Sequence, residues 1–182
     1  QFNDIESVPA RGIAEKTELL VGPQGVAERY NELWEETHDR FTVMLQIFND
    51  ILDKKLGNIE DAQKRLDQAL RTALIIETEG VVVSPLDGLP EIKISKNEDG
   101  TDFIDIYFAG PIRAAGGNAE TLPLLLGDLA RVKLNIDRYK PSKREIERVV
   151  EEGMLYQEEV VVRQQRVTES EIRTIMENLT VR

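Results

Sequence analysis

The spacing of apolar residues changes along this chain, from a helical period in its first part to a strand period further on. Between residues 41 and 76 apolar side chains recur every three or four positions, which is typical of amphipathic helices. Residues 92–94 and 103–108 instead combine alternation with β-branched and aromatic side chains, which favours strands. The pattern predicts an α+β fold, with a helical region over 1–79 and a small mixed or antiparallel sheet with packed helices over 80–182.

Polar residues, glycines and prolines indicate where several elements begin and end. Asn58 is expected to cap the second long helix and Gly80 to end it. The residues 97–100 predict a hairpin loop, and we expect the strand after it to lie centrally in the sheet. Pro123 is compatible only with the first turn of a helix, so Thr121 is the expected N-cap of the helix that follows the sheet.

The second half of the chain carries further element signals. Leu122, Leu125, Leu126, Leu129, Val132 and Leu134 form the apolar face of the helix expected after Thr121. Capping-box pairs begin two later helices: Ser142 with Glu145, and Thr168 with Glu171. The apolar runs at 81–83 and 160–162 predict short strands.

Composition excludes several classes of functional site. The 182 residues include no Cys and one His, which excludes disulfide scaffolds, thiolate zinc sites, cysteine nucleophiles and multi-histidine metal centres. Asp102 and Asp105 are three apart on a strand and point to opposite faces, so no metal site is expected here. The sequence contains no complete catalytic constellation, so no catalytic residue is expected either. No apolar run or leader pattern indicates a membrane partner, and a cytoplasmic location is expected. Because the chain begins at Gln1, we expect it to be part of something longer.

The charge is distributed unevenly. The formal net charge is -11, and residues 1–105 hold 22 acidic and 11 basic side chains, whereas residues 106–182 hold 12 of each. The segment 131–148, called the basic segment below, carries seven basic side chains against three acidic ones. Its basic members are Arg131, Lys133, Arg138, Lys140, Lys143, Arg144 and Arg148. Such a segment could contact nucleic acid locally, or it could be the solvated face of a helix.

A glycine-rich loop joins the central strand to the next helix. Gly110, Gly116 and Gly117 allow backbone N–H groups to face a ligand, and Arg113 could add a bidentate phosphate contact. The loop matches neither the dinucleotide-binding nor the P-loop consensus. Its glycines could equally serve close packing of strand against helix, so the residues alone leave both interpretations open.

Short motifs, in order along nearly the whole chain, carry a family resemblance. They lie at 20–29, 71–74, 107–117, 127–128, 133–134, 136–141, 145–148, 155–156 and 171–173. The stretches Ala-Gly-Pro-Ile-Arg and Ile-Asp-Arg-Tyr-Lys-Pro are the most specific of them. Together they resemble the N-terminal region of the large subunit of the archaeal D-family replicative DNA polymerase, with departures at Asn118, Pro123 and Val132.

The resemblance implies a full-length protein that is a DNA-directed DNA polymerase acting in replication. Its catalytic aspartates would lie on a double-psi β-barrel far downstream, with magnesium as cofactor, and proofreading would belong to a separate small exonuclease subunit. No residue of this chain would then be catalytic, and no cofactor is expected in it. A KH-like α/β unit near the nucleic-acid path is also implied, although the loop between Gly110 and Gly117 is not the Gly-x-x-Gly of KH domains.

The sequence therefore predicts an accessory region that helps to hold primer-template DNA or the subunit assembly. Contacts to phosphate are expected from Arg113, Arg131, Lys133, Arg138, Lys140, Lys143 and Arg144, and from the loop backbone at Gly110, Gly116 and Gly117. The expected partners are DNA, the small exonuclease subunit and the rest of the large subunit, and a homo-oligomer stays open. The alternatives are a structural or oligomerisation module whose basic segment pairs with an acidic neighbour, and a phosphate-ligand site at the glycine loop.

Overall fold

The computed structural model describes residues 12–78, 87–110, 117–159 and 166–182. Within these ranges the chain forms two strands, β1 (Glu91–Lys96) and β2 (Asp102–Tyr107). It also forms seven helices: α1 (Ile13–Leu20), α2 (Val26–Thr37), α3 (Arg40–Leu52), α4 (Ala62–Glu77), α5 (Gly117–Lys133), α6 (Lys143–Glu159) and α7 (Glu169–Asn178). The predicted α+β class is confirmed, while the predicted strands at 81–83 and 160–162 lie outside the described residues.

The sheet is an antiparallel hairpin. β1 and β2 pair with Ile92 opposite Ile106 and Ile94 opposite Ile104. The Asn97 N–H donates to the carbonyl of Thr101 (2.8 Å), which closes the predicted loop. Because side chains alternate along a strand, these isoleucines share the face turned to the core. The sheet in the described residues has two strands, so β2 does not lie centrally as predicted; on its other side it bonds to the backbone of Arg182.

One continuous apolar core joins the helical part to the sheet. Phe48 of α3 and Leu70 of α4 are fully buried, and the same cluster extends through Ile104 to Leu126 of α5. Each such side chain contributes on the order of 1.5–3 kcal/mol through removal of apolar area from water. The division predicted at residue 79 lies outside the described residues, and the parts on either side of it share this core.

The predicted start of α4 is wrong. The helix begins after Asp61, whose carboxylate accepts the N–H of Lys64 (2.8 Å), and not after Asn58. Asn58 instead takes a left-handed backbone conformation (φ 43°) in the preceding turn, which asparagine tolerates better than most residues. The helix ends at Glu77, before Gly80, which lies outside the described residues.

The predicted start of α5 is also wrong. The helix begins at Gly117 rather than after Thr121, and Pro123 is its seventh residue. A proline at this depth removes one backbone hydrogen bond, at a cost of about 3 kcal/mol. Burial of Leu126 and Ala130 on the same helix offsets that cost, because tertiary packing overrides local propensity.

Both predicted capping boxes are confirmed. In the first, Glu145 donates its N–H to Ser142 Oγ (3.2 Å) and its carboxylate accepts the N–H of Ser142 (3.3 Å). In the second, Thr168 and Glu171 make the same reciprocal pair at the start of α7. α6 and α7 pack on each other as a hairpin. None of the helices in the described ranges is long and apolar enough to cross a bilayer.

Candidate nucleic-acid interface

Most of the predicted glycine loop lies outside the described residues. Arg113 and Gly116 lie outside the described residues, so their predicted roles stay predictions. Gly117 is the first residue of α5, and Gly110 precedes the undescribed segment. A Cβ added at Gly110 would meet nothing within 4 Å, so close packing does not require glycine there.

The first two cations of the basic segment lie in the last turn of α5, and both are ion-paired within the chain. Arg131 Nη2 lies 2.8 Å from Asp128 Oδ1 one turn earlier. Lys133 Nζ lies 2.9 Å from Asp53 Oδ1 and donates to Asn49 Oδ1 (2.9 Å), which ties α5 to α3. The hydrogen bond from Lys133 is the main reason that the pKa of Asp53 is lowered. Both cations therefore already have a carboxylate partner within the chain.

The segment between α5 and α6 holds two more of these cations. Lys140 Nζ lies between Asp99 (2.7 Å) and Asp137, and these carboxylates raise the pKa of Lys140. The same hydrogen bonds lower the pKa of Asp99 and of Asp137. Arg138 is exposed, and its Nη2 donates to the carbonyl of Glu177 (2.8 Å) at the end of α7. Lys140 is therefore neutralised by carboxylates of the chain itself, whereas Arg138 has no carboxylate partner in the described residues.

Lys143 and Arg144 differ from the other candidates. Both are exposed in the first turn of α6, and within the described ranges neither makes an ion pair. Cations at a helix N-terminus oppose the macrodipole and cost roughly 0.3–1 kcal/mol each. Arg148, one turn on, is exposed and lies 3.6 Å from Glu152. The first turn of α6 is thus the part of the basic segment best placed to meet an external anion.

A buried carboxylate with an arginine partner was not predicted from the sequence. Asp105 is 3% exposed and receives Arg182 Nη2 on Oδ2 (2.8 Å) and Nε on Oδ1 (3.2 Å). Ser95 and the Tyr107 hydroxyl donate to the same carboxylate at 3.4 and 3.1 Å. An aspartate in the middle of an apolar strand indicates that a cation or hydrogen-bond donor lies beside it, because a buried carboxylate needs a partner. The arginine is 77 positions away, so no local pattern identifies it.

The Arg182 guanidinium is also held by aromatic rings. Its central carbon lies 5.3 Å from the ring centroids of both Phe103 and Tyr139, within cation–π range. Its Nη1 lies 3.4 Å from Glu145 Oε1. Burial, with the Glu145 carboxylate as the next cause, raises the pKa of Tyr139 to about 12. The cluster fixes the end of the chain against β2, and its charges are satisfied internally.

Only part of the predicted apolar face of α5 is buried. Leu126 and Ala130 lie in the core, whereas Leu125, Leu129 and Val132 are 49%, 42% and 65% exposed. These three residues are spaced four and three apart, so they form one row on the helix. We call them the outer row of α5.

Within the described residues no group of three or more His, Asp or Glu side chains is placed to hold a metal ion.

Comparison with known proteins places the whole chain in one family. The family model "DNA polymerase II large subunit DP2, N-terminal" matches residues 1–182. The DNA polymerase II large subunit of Thermococcus kodakarensis is 43% identical over 180 residues, covering 98% of this chain and 10% of that protein. The Pyrococcus furiosus subunit is also 43% identical, with 98% and 14% covered. The Methanosphaera stadtmanae subunit is 45% identical over 190 residues, with 100% and 17% covered.

These relatives are much longer than this chain. The chain spans between 10% and 17% of their lengths, and it aligns with them across nearly all of its own. The resemblance to the archaeal D-family polymerase is therefore confirmed, and the chain belongs to the family of N-terminal regions of the DNA polymerase II large subunit.

Proposed function

We propose that this chain is a non-catalytic platform in the large subunit of a DNA-directed DNA polymerase that acts in replication, and that the outer row of α5 packs against the rest of that subunit. The exposure of Leu125, Leu129 and Val132 carries this proposal. In the neighbouring basic segment, Lys133 and Lys140 are already ion-paired within the chain. Polymerisation, its magnesium ions and the contact with a small exonuclease subunit are assigned to the rest of the polymerase.

The rest of the large subunit is the occupant that the chain itself favours. The relatives contain six to ten times as much polypeptide as this chain covers, so an intramolecular partner is always present at high effective concentration. Contiguous exposed apolar side chains on a folded protein mark interaction surfaces. Leu126 and Ala130 anchor α5 in the core, so the outer row needs little ordering on binding.

The variant L125S/L129S/V132S of the full-length polymerase tests the platform. We expect it to release the N-terminal region to limited proteolysis and to lower primer-extension activity, because the serines remove the apolar area that the interface would bury. The control is L19S on α1, which removes one leucine that is 60% exposed and lies outside the row.

Hydroxyl-radical labelling of the wild-type polymerase identifies the occupant. Protection of the outer row that is independent of protein concentration is expected, with Leu19 labelled freely. Labelling of both surfaces at similar rates would contradict the platform. Protection that appears only as concentration rises would assign the row to a second copy instead.

A second candidate function, direct contact with primer-template DNA, is favoured by Lys143 and Arg144. Their exposure without an intramolecular ion pair in the described ranges, at the positive end of α6, suits phosphate contacts that carry no base specificity. Arg138, whose guanidinium is bound to a carbonyl rather than a carboxylate, could join them.

The charge-reversal variant K143E/R144E of the full-length polymerase tests this contact over a salt series. Loss of two phosphate contacts should reduce the slope of log affinity against log salt concentration by about 1.8 on duplex DNA. The matched control K16E/K64E makes the same charge change at two exposed lysines of α1 and α4. Equal slopes for the two variants and the wild type would remove DNA contact from this surface.

A further inference from the structure

The edge of β2 that faces away from β1 is already occupied at one position by the backbone of Arg182. The Arg182 N–H donates to the carbonyl of Ile104 (3.0 Å), and the Arg182 carbonyl accepts the N–H of Ile106. Arg182 thus bonds to the residues before and after Asp105, and this hydrogen-bond pattern is that of two parallel strands. Arg182 therefore occupies the first position of a third strand, which would run alongside β2 in the same direction.

The register of this third strand is fixed by three anchors. The side chain of Val181 is buried in the core. The carbonyl of Thr180 accepts the N–H of Tyr139 (2.9 Å). On the opposite face, Arg182 binds the buried carboxylate of Asp105. With alternate side chains held on both faces, a slip by one residue would exchange Val181 and Arg182 and is excluded.

The next two backbone groups along this edge are open. In an antiparallel pair, successive residues turn their backbone N–H and carbonyl groups alternately toward the partner strand and away from it. Counted from the bond between Asn97 and Thr101, the carbonyl of Ile106 and the N–H of Phe108 point away from β1. Within the described residues neither group has a hydrogen-bond partner. Phe108 is only partly exposed, and unpaired backbone groups at a sheet edge invite another strand.

The other edge of the sheet, along β1, is covered in part by a side chain of α4. The side-chain amide of Gln63 on α4 accepts the N–H of Ile94 (2.6 Å) and donates to the carbonyl of Ile92. One glutamine thus takes the place of a neighbouring strand at these two backbone groups of β1. The edge of β2, by contrast, is paired with backbone, at Arg182.

We propose that the polypeptide following Arg182 in a full-length large subunit continues as a parallel third strand along β2. In this register the second residue after Arg182 donates its N–H to the carbonyl of Ile106 and accepts the N–H of Phe108. We assign the open edge of β2 to the polypeptide after Arg182 because Arg182 already lies on this edge and the chain there runs parallel to β2. The family is described as an N-terminal region, and its members continue well beyond the matched length.

Hydrogen exchange resolved to single amides in the full-length large subunit tests whether the edge is filled. We expect the Phe108 amide to exchange at least about a hundredfold more slowly than a free peptide, as an amide bonded within a stable sheet does. The Ile106 amide is the internal reference, since it is already bonded to Arg182. Exchange of Phe108 at the free-peptide rate, with Ile106 protected, would overturn the proposal.

A cysteine pair tests which segment fills the edge. Tyr107 lies two residues after Asp105, so it should face the second residue after Arg182 across strands about 5 Å apart, a spacing that a disulfide can bridge. Cysteines at these two positions of the full-length subunit should cross-link under mild oxidation, with no native cysteine in residues 1–182 to interfere. The control moves the second cysteine to the first residue after Arg182, which faces the other side. Protection of Phe108 without the matched cross-link would assign the edge to another segment and overturn the proposal.

Discussion

The Arg182→Ala variant of this chain should lose about 3 kcal/mol of unfolding free energy. The Asp105 carboxylate would stay buried, with the Ser95 and Tyr107 hydroxyls as its remaining donors in the described structure. Removing one partner of a buried ion pair costs roughly 3–5 kcal/mol, because it leaves an uncompensated charge. The value expected here is at the lower end, since the Arg182 side chain is 44% exposed and water already screens part of the pair.

Urea unfolding followed by circular dichroism measures this loss. The control Arg144→Ala removes an exposed arginine with no ion pair in the described ranges and should stay within about 0.5 kcal/mol of the wild type. The double variant D105N/R182A should recover more than half of the loss, because a neutral amide needs no counter-charge. A double variant as unstable as Arg182→Ala would show that the buried charge is not the cause.

Several helices and both strands could be predicted from patterns of neighbouring residues. The apolar stripes predicted α3 and α4, alternation predicted both strands, and the pairs beginning at Ser142 and Thr168 predicted two helix starts. Pro123 misled the prediction of α5, because proline weakens a helix by a few kcal/mol while the core contacts of Leu126 and its neighbours outweigh that locally visible cost.

The candidate site was predictable only in part. The seven cations of the basic segment could be identified by composition, but their partners depend on the fold. Lys133 meets Asp53 across 80 positions, and Lys140 meets Asp99 across 41. The pair of Arg131 with Asp128 is three residues apart and was readable from helical spacing. Charge alone therefore did not indicate which of these cations have a carboxylate partner within the chain.

The Asn97→Ala variant is expected to destabilise the chain by about 2–3 kcal/mol. Asn97 is 6% exposed, and its Nδ2 donates to Thr101 Oγ1 and to the carbonyl of Arg138, both at 3.0 Å. Its Oδ1 accepts the N–H of Lys140 (2.9 Å). The alanine variant would leave backbone groups of Arg138 and Lys140 without their partner, and each unsatisfied buried group costs about 1–3 kcal/mol.

This amide docks the segment before α6 onto the hairpin, so its loss should also be visible away from the loop. In the Asn97→Ala variant, amides of residues 138–140 should exchange with solvent faster, because Lys140 would be held there mainly by its exposed ion pairs with Asp99 and Asp137. The control is Asn178→Ala on α7, where the exposed amide bonds only to the carbonyl of Thr174 in the described structure. Equal stability and equal exchange in the two variants would mean that the ion pairs, and not Asn97, position this segment.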